Sequence, residues 1–154
     1  LVAAQLILAG AQVEELNTLL FATKPRERME AERIARNHLE YHLEGRCALM
    51  YLTRDEIAQS GVDPADLEEL TSLPTSSEGV KVGLLLRQQP GGSYRISVRA
   101  AKGADACAIA RRLGGGGHTR AAGCELLGNL DNAKSAILAE LEAELDRPET
   151  QEES

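Results

Sequence analysis

Lys81-Val82-Gly83-Leu84-Leu85-Leu86-Arg87 and Tyr94-Arg95-Ile96-Ser97-Val98-Arg99, joined through Gln88-Gln89-Pro90-Gly91-Gly92, set the architecture of this 154-residue chain. In the first segment Val82, Leu84 and Leu86 alternate with Lys81, Gly83 and Arg87; in the second Tyr94, Ile96 and Val98 alternate with Arg95, Ser97 and Arg99. A period of two means a strand, and the Pro-Gly-Gly cluster between the two means a turn, so the pair predicts a β-hairpin with one basic face.

Working outward, Arg46 to Leu52 is a short apolar run with the look of a buried strand, and Cys124 to Leu127 suits one more. Helices fill the spaces between. Thr53-Arg54-Asp55-Glu56 matches a capping box, and Gly61 stops the helix it opens. Asp63-Pro64 starts another that runs to about Leu73, Asp105 caps one through Leu113, and Asp131 caps a last amphipathic helix with Ile137, Leu138, Leu141 and Leu145 on its buried stripe. Before the first strand, Leu16, Leu19 and Leu20 fall at helical spacing, and a long run from Arg26 to Leu43 reads as a surface or bridging helix ending at Gly45. Strands interspersed with helices give an α/β fold: a small mixed β-sheet flanked by helices and preceded by a helical connector.

Composition narrows the function. With 43% hydrophobic and 27% charged residues, the chain can build one domain with a real core. Its apolar stretches fall well short of a membrane span and no basic leader pattern stands out, so the expectation is a soluble, cytoplasmic protein with no membrane partner. Leu1 already lies inside an apolar helical pattern without an initiating Met, which suggests that the sequence starts partway through a longer protein. Cys47, Cys107 and Cys124 are widely spaced and odd in number, which reads as buried free thiols. Four aromatic residues, Phe21, Tyr41, Tyr51 and Tyr94, are too few for a surface built on base stacking. The net charge of −7 hides an asymmetry: from Val80 to Gly123 there are eight basic residues against Asp105 alone, a window of +7 that leaves −14 elsewhere. A basic, glycine-rich segment within an acidic chain marks a confined anion site rather than a long nucleic-acid track.

That window ends in Gly114-Gly115-Gly116-Gly117-His118-Thr119-Arg120-Ala121-Ala122-Gly123. Ordering four glycines costs entropy, so a structure that orders them needs positive φ or close backbone approach. Their bare N–H groups can converge on phosphate oxygens, a short helix starting near His118 would add its own, His118 can donate to the same anion, and Arg120 can supply charge. The competing reading is a flexible connector. No Lys-Ser or Lys-Thr follows as in a Walker A loop, and the G-x-G-x-x-G setting of a dinucleotide fold is missing. His38 and His42, four apart, could share a helix face as zinc ligands do, but no third ligand stands near them and they read as ordinary residues of the bridging helix.

Gly114 to His118 with Ala121-Ala122-Gly123, preceded by Ile96-Ser97-Val98-Arg99 and the helix from Asp105 to Leu113, resembles the DHH-associated domain, the C-terminal half of DHH phosphoesterases. The resemblance covers nearly the whole chain and is nearest to the group of oligoribonucleases that also dephosphorylate 3′-phosphoadenosine 5′-phosphate. It implies two parts, residues 1–45 as a helical connector from an N-terminal metal domain and 46–147 as the substrate-binding domain, while the acidic composition of 148–154 reads as a disordered tail. It further implies that Gly115, Gly116, Gly117 and His118 hold a substrate phosphate, that Arg99 reaches the same nucleotide, and that Arg87 assists. Val98 and Ala100 depart from the family's Ser-Leu-Arg-Ser strand motif, the second removing a hydroxyl. Manganese is expected in the N-terminal domain in cis and none in this chain, which should be inactive alone. The expected partners are short RNA oligonucleotides or nucleoside bisphosphates; the oligomeric state is not legible. Alternatives within the resemblance are a cyclic dinucleotide phosphodiesterase or a single-strand DNA exonuclease. A tRNA-binding accessory module usually lacks the histidine in this glycine setting, so His118 speaks against it, and a stand-alone nucleotide sensor would need a gene beginning close to Leu1.

Overall fold

The computed structural model describes residues 5, 7–10, 12–18 and 23–146. The helical spacing at Leu19 and Leu20 and the acidic tail lie outside them. Alternation over 82–100 does produce the hairpin: β3 (Val82–Gln88) pairs antiparallel with β4 (Tyr94–Ala100), with Arg87 opposite Arg95 and Gly83 opposite Arg99. Around it forms one six-stranded mixed sheet in the order β1-β2-β3-β4-β6-β5, with β1 Glu40–His42, β2 Cys47–Leu52, β5 Gly116–His118 and β6 Ala121–Leu126. β2 and β3 are parallel; the other neighbours are antiparallel.

The helices lie on the two sides of this sheet. One side carries Cys47, Leu49, Val82, Leu84, Leu86, Ile96 and Val98, packed beneath α5 (Ala106–Arg112) and α6 (Leu130–Leu145) through Ile109, Ile137 and Leu141. The other side carries Met50, Leu52 and Leu85 beneath α2 (Arg26–Asn37), α3 (Arg54–Ser60), α4 (Pro64–Glu69) and the 3-10 turns over Leu70–Ser76. α1 (Val13–Asn17) precedes these. β3 is therefore covered on both faces, with Val82, Leu84, Leu85 and Leu86 all fully buried. At about 1.5–3 kcal/mol per buried side chain, these residues anchor the domain. The second layer stops at β3 and β4, and this gap in the cover matters below.

Local rules explain most of the boundaries. Thr53 Oγ1 accepts from the Glu56 N–H while a Glu56 carboxylate oxygen accepts from the Thr53 N–H, a complete capping box, and Gly61 ends α3 at φ 67. Burial alone would raise the Glu56 carboxyl, but hydrogen bonds with His38 and Thr53 outweigh it and hold it below its ordinary range. Thr53→Ala is expected to lower stability by about 1 kcal/mol at neutral pH, seen as a lower urea midpoint with unchanged slope. A lowered carboxyl stabilises above its unfolded pKa and loses that effect as pH falls through the folded one, so the cost of the substitution should shrink in acid.

Three expectations need correction. The helix from Arg26 stops at Asn37, and residues expected in its last turns form β1 and the tight turn Leu43–Gly45, where Leu43 and Glu44 take positive φ. Edge pairing of Tyr41 with Ala48 and His42 with Cys47 wins over helical spacing. The last helix is capped by Asn129, whose Oδ1 accepts from the Asn132 N–H at 2.9 Å, and Asp131 instead sits in its first turn. No helix starts near His118, because Gly116–His118 is a strand on β6.

Candidate phosphate-binding face

Past β4, the sheet face that carries α2–α4 elsewhere has no cover among the described residues, and the 3-10 segment Leu70–Ser76 reaches only as far as β4, where it buries Ser97 and holds Arg99. Residues directly opposite on neighbouring antiparallel strands project to the same side, so the register fixes what this open area presents. One row runs Gly83, Arg99, Ala121, His118 across β3, β4, β6 and β5. The next runs Leu85, Ser97, Gly123, Gly116. Arg99 and His118 thus stand on one face, two strand spacings or about 10 Å apart. Between them the floor is made of Ala121, Gly123 and Gly116, which raise almost no side chain above the backbone, with Ser97 buried at its inner margin. That is a shallow platform with a guanidinium at one edge and an imidazole at the other.

The glycines divide into two tasks. Gly114 (φ 77) ends α5: its N–H donates to the Arg111 carbonyl and that of Gly115 to the Ala110 carbonyl, the paired bonds of a left-handed helix stop. Gly115 and Gly117 let β5 lie tightly on β6, since a Cβ on Gly115 would come within 2.2 Å of the Gly123 carbonyl oxygen and one on Gly117 within 2.5 Å of the Ala122 Cα. Gly116 differs, with nothing within 4 Å of where its Cβ would be. In place of the expected cradle of four converging glycines there are one helix stop, two packing glycines and one that faces open space.

Arg99 is half-buried and held in place: Nη2 donates to Thr71 Oγ1 at 2.7 Å, and Thr71 Oγ1 donates in turn to the Glu68 carbonyl at 2.7 Å. His118 and Arg120 are exposed at the other edge, with Arg120 Nη1 reaching the Ala100 carbonyl at 3.4 Å. Around the sheet edge, on the α5 side and so on the other face from Arg99, a depression of about 440 Å³ is bordered by Asp105, Arg111, Gly117, His118, Thr119 and Arg120. Asp105 is occupied there as the cap of α5, accepting from the Cys107 and Ala108 N–H groups at 2.8 and 3.0 Å. Arg111, which sequence reasoning did not single out as a site residue, is an exposed cation on that α5 side and not on the platform.

Arg87 does not join this group. It lies four residues along β3 from Gly83, so about 13 Å from the row that holds Arg99, and it is 4% exposed with Nη2 on Glu68 Oε1 at 2.7 Å. That hydrogen bond, with the charges of Arg87, Arg95 and Arg99, holds the Glu68 carboxyl below its ordinary range despite partial burial. Nothing in the alternation of β3 announces a partner nineteen residues earlier on another element.

The side chains suited to hydrolysis are otherwise engaged. Cys47, Cys107 and Cys124 are free and buried, and burial pushes the Cys47 thiol up to about 12, so it is no nucleophile at neutral pH. Among the described residues no three His, Cys, Asp or Glu side chains gather to hold a metal ion. His38 follows the end of α2, pairs with Glu56 at 2.6 Å and stacks on Tyr51, while His42 lies on β1 beside Glu40.

A family model for the DHHA1 domain matches residues 45–146, strands β2 to β6 with helices α3 to α6. The chain belongs to the DHHA1 family. This is the DHH-associated domain that the sequence resembles. A curated relative from Thermus thermophilus, the bifunctional oligoribonuclease and PAP phosphatase NrnA, is 32% identical over 148 residues, covering 95% of this chain and 43% of its own length. The chain therefore spans less than half of that relative. Among solved structures, an exopolyphosphatase-related protein from Bacteroides fragilis superposes with a TM-score of 0.81 at 22% identity, over 92% of this chain and 42% of that one. A pGpG-specific phosphodiesterase, PggH from Vibrio cholerae, follows at 0.52 and 12%, over 77% and 40%. These two likenesses establish that the DHHA1 fold is shared. No described helix is long and apolar enough to cross a membrane.

Proposed function

We propose that this DHHA1 domain is the nucleotide-binding part of a phosphoesterase that acts on short oligoribonucleotides and 3′,5′-bisphosphonucleosides, with hydrolysis carried out by manganese held in a DHH domain in cis. The observation that carries the reading is the row Arg99–Ala121–His118, which sets a guanidinium and an imidazole on either side of a floor without large side chains. Such a floor admits the backbone of a nucleotide, and its two borders supply charge-assisted hydrogen bonds to phosphate oxygens. The named activities of the Thermus relative favour this substrate class. When bound in its own domain, manganese would supply an activated water; the residues of this chain bind and orient the phosphate and take no part in bond breaking.

Titration of this chain with AMP and with 3′-phosphoadenosine 5′-phosphate at two ionic strengths tests the binding role. Weak binding that falls as salt rises is expected, because arginine charges provide much of the attraction. Affinity that ignores salt, or turnover of either nucleotide by the chain with added manganese, would contradict the proposed division of labour.

A further inference from the structure

A second cationic pocket of about 350 Å³ lies on the same side of the sheet, at the hairpin end far from Gly83 and Arg99. Arg54 from the start of α3, Arg87 and Gln88 from β3, Gln89 from the turn and Arg95 from β4 line it beside an apolar wall of Ile57, Pro64 and Leu67, with Glu68 of α4 at its border. Three guanidinium groups thus face one carboxylate. Glu68 is committed to Arg87 at 2.7 Å, and the Arg87 Nε is buried without a hydrogen-bond partner. Arg95 is exposed and makes no hydrogen bond or ion pair among the described residues, while the Arg54 side chain has only a 3.4 Å contact with the Pro90 carbonyl. Glu125, opposite Arg95 on β6, accepts instead from Ser93 Oγ. Buried or converging arginines left short of acceptors carry a standing electrostatic cost that an anion relieves.

We propose that this pocket is a second phosphate subsite, which takes a more distant phosphate of an oligonucleotide whose terminal phosphate lies between Arg99 and His118. The proposal rests on the reading of that face as a nucleotide site. The backbone positions of Arg99 and Arg95 are about 13 Å apart along β4, so a mononucleotide on the Arg99–His118 platform leaves the pocket empty, whereas a chain of several nucleotides spans both. The pocket therefore sets a preference for oligonucleotides over single nucleotides. Arginine forks in a neutral-amide setting, with Gln88 fixed by the Arg54 N–H at 3.1 Å, suit a phosphodiester.

The test compares AMP with a 5′-phosphorylated tetraadenylate by calorimetry, on the unchanged chain and on the double variant Arg54→Ala/Arg95→Ala. Both side chains are exposed, so the fold should survive, and circular dichroism checks this. The unchanged chain is expected to bind the tetranucleotide more tightly than AMP, and the double variant to lose about ten-fold in tetranucleotide affinity with AMP affinity unaltered. Equal binding of the two ligands by the unchanged chain, or a tetranucleotide affinity indifferent to the two substitutions, overturns the subsite while leaving the platform intact. An equal loss for AMP and tetranucleotide overturns it too, because the pocket would then serve the single-phosphate site. If the unchanged chain binds neither ligand, the platform reading itself fails and the subsite falls with it.

Discussion

Gly115→Ala should destabilise this domain by about 3 kcal/mol, the upper part of the range for forcing a methyl group into a filled site. The added Cβ would lie 2.2 Å from the Gly123 carbonyl oxygen and 2.6 Å from the Cys124 Cβ. Both belong to β6, the strand that holds β5 on the sheet, so relief requires β5 to lift away or β6 to shift against β4. For a chain of this size that loss corresponds to a melting temperature lower by roughly 6–12 °C. Gly116→Ala is the internal control: open space surrounds its Cβ position, so stability should change by less than about 0.5 kcal/mol while nucleotide affinity drops, since the methyl rises from the platform floor. Thermal unfolding of the two variants side by side decides the matter. If Gly115→Ala melts like the unchanged chain, the glycine run is not the tight seam described here.

His118→Ala should weaken AMP and 3′-phosphoadenosine 5′-phosphate binding by roughly ten- to a hundred-fold, the usual cost of deleting a hydrogen-bond donor to a charged phosphate oxygen. The imidazole is exposed at the sheet edge and makes no contact that the fold depends on, so the melting temperature should stay put. Arg99→Lys tests the other border. It keeps the charge but loses the planar fork, and it also gives up the 2.7 Å bond to Thr71 that aims the group. In an enzyme with its metal domain, both losses should appear in kcat/KM for every nucleotide substrate while manganese content remains normal. Unchanged affinity in both variants would show that these side chains do not meet the phosphate.

Much of the fold was legible because strong local signals agreed with the tertiary structure. Val82–Gln88 and Tyr94–Ala100 alternate around a Pro-Gly-Gly turn, and Thr53, Gly61, Asp63 and Asp105 all cap where their chemistry says they should. The two edge strands were not legible. Gly116-Gly117-His118 has no side-chain period to read, and becomes a strand only because β6 lies alongside it; Glu40-Tyr41-His42 continues a helical pattern that long-range pairing with β2 overrides. In the candidate site, His118 and Arg99 could be singled out from their motifs, but their placement on one face needed the register of three strands. Arg54 and Arg111 sit on short helices among many other charges, and no spacing rule separates them from ordinary solvated residues.

The two strands that end the sheet, β1 and β5, are each only three residues long. A bare strand edge is a template on which another chain can add itself, and short, polar or glycine-rich edges blunt that tendency. Glu40 and His42 flank Tyr41 on one edge, and two glycines precede His118 on the other. Neither border offers the long apolar ladder that seeds intermolecular β-assembly, so the part of the sheet left open past β4 does not invite copies of this chain to stack against its edges.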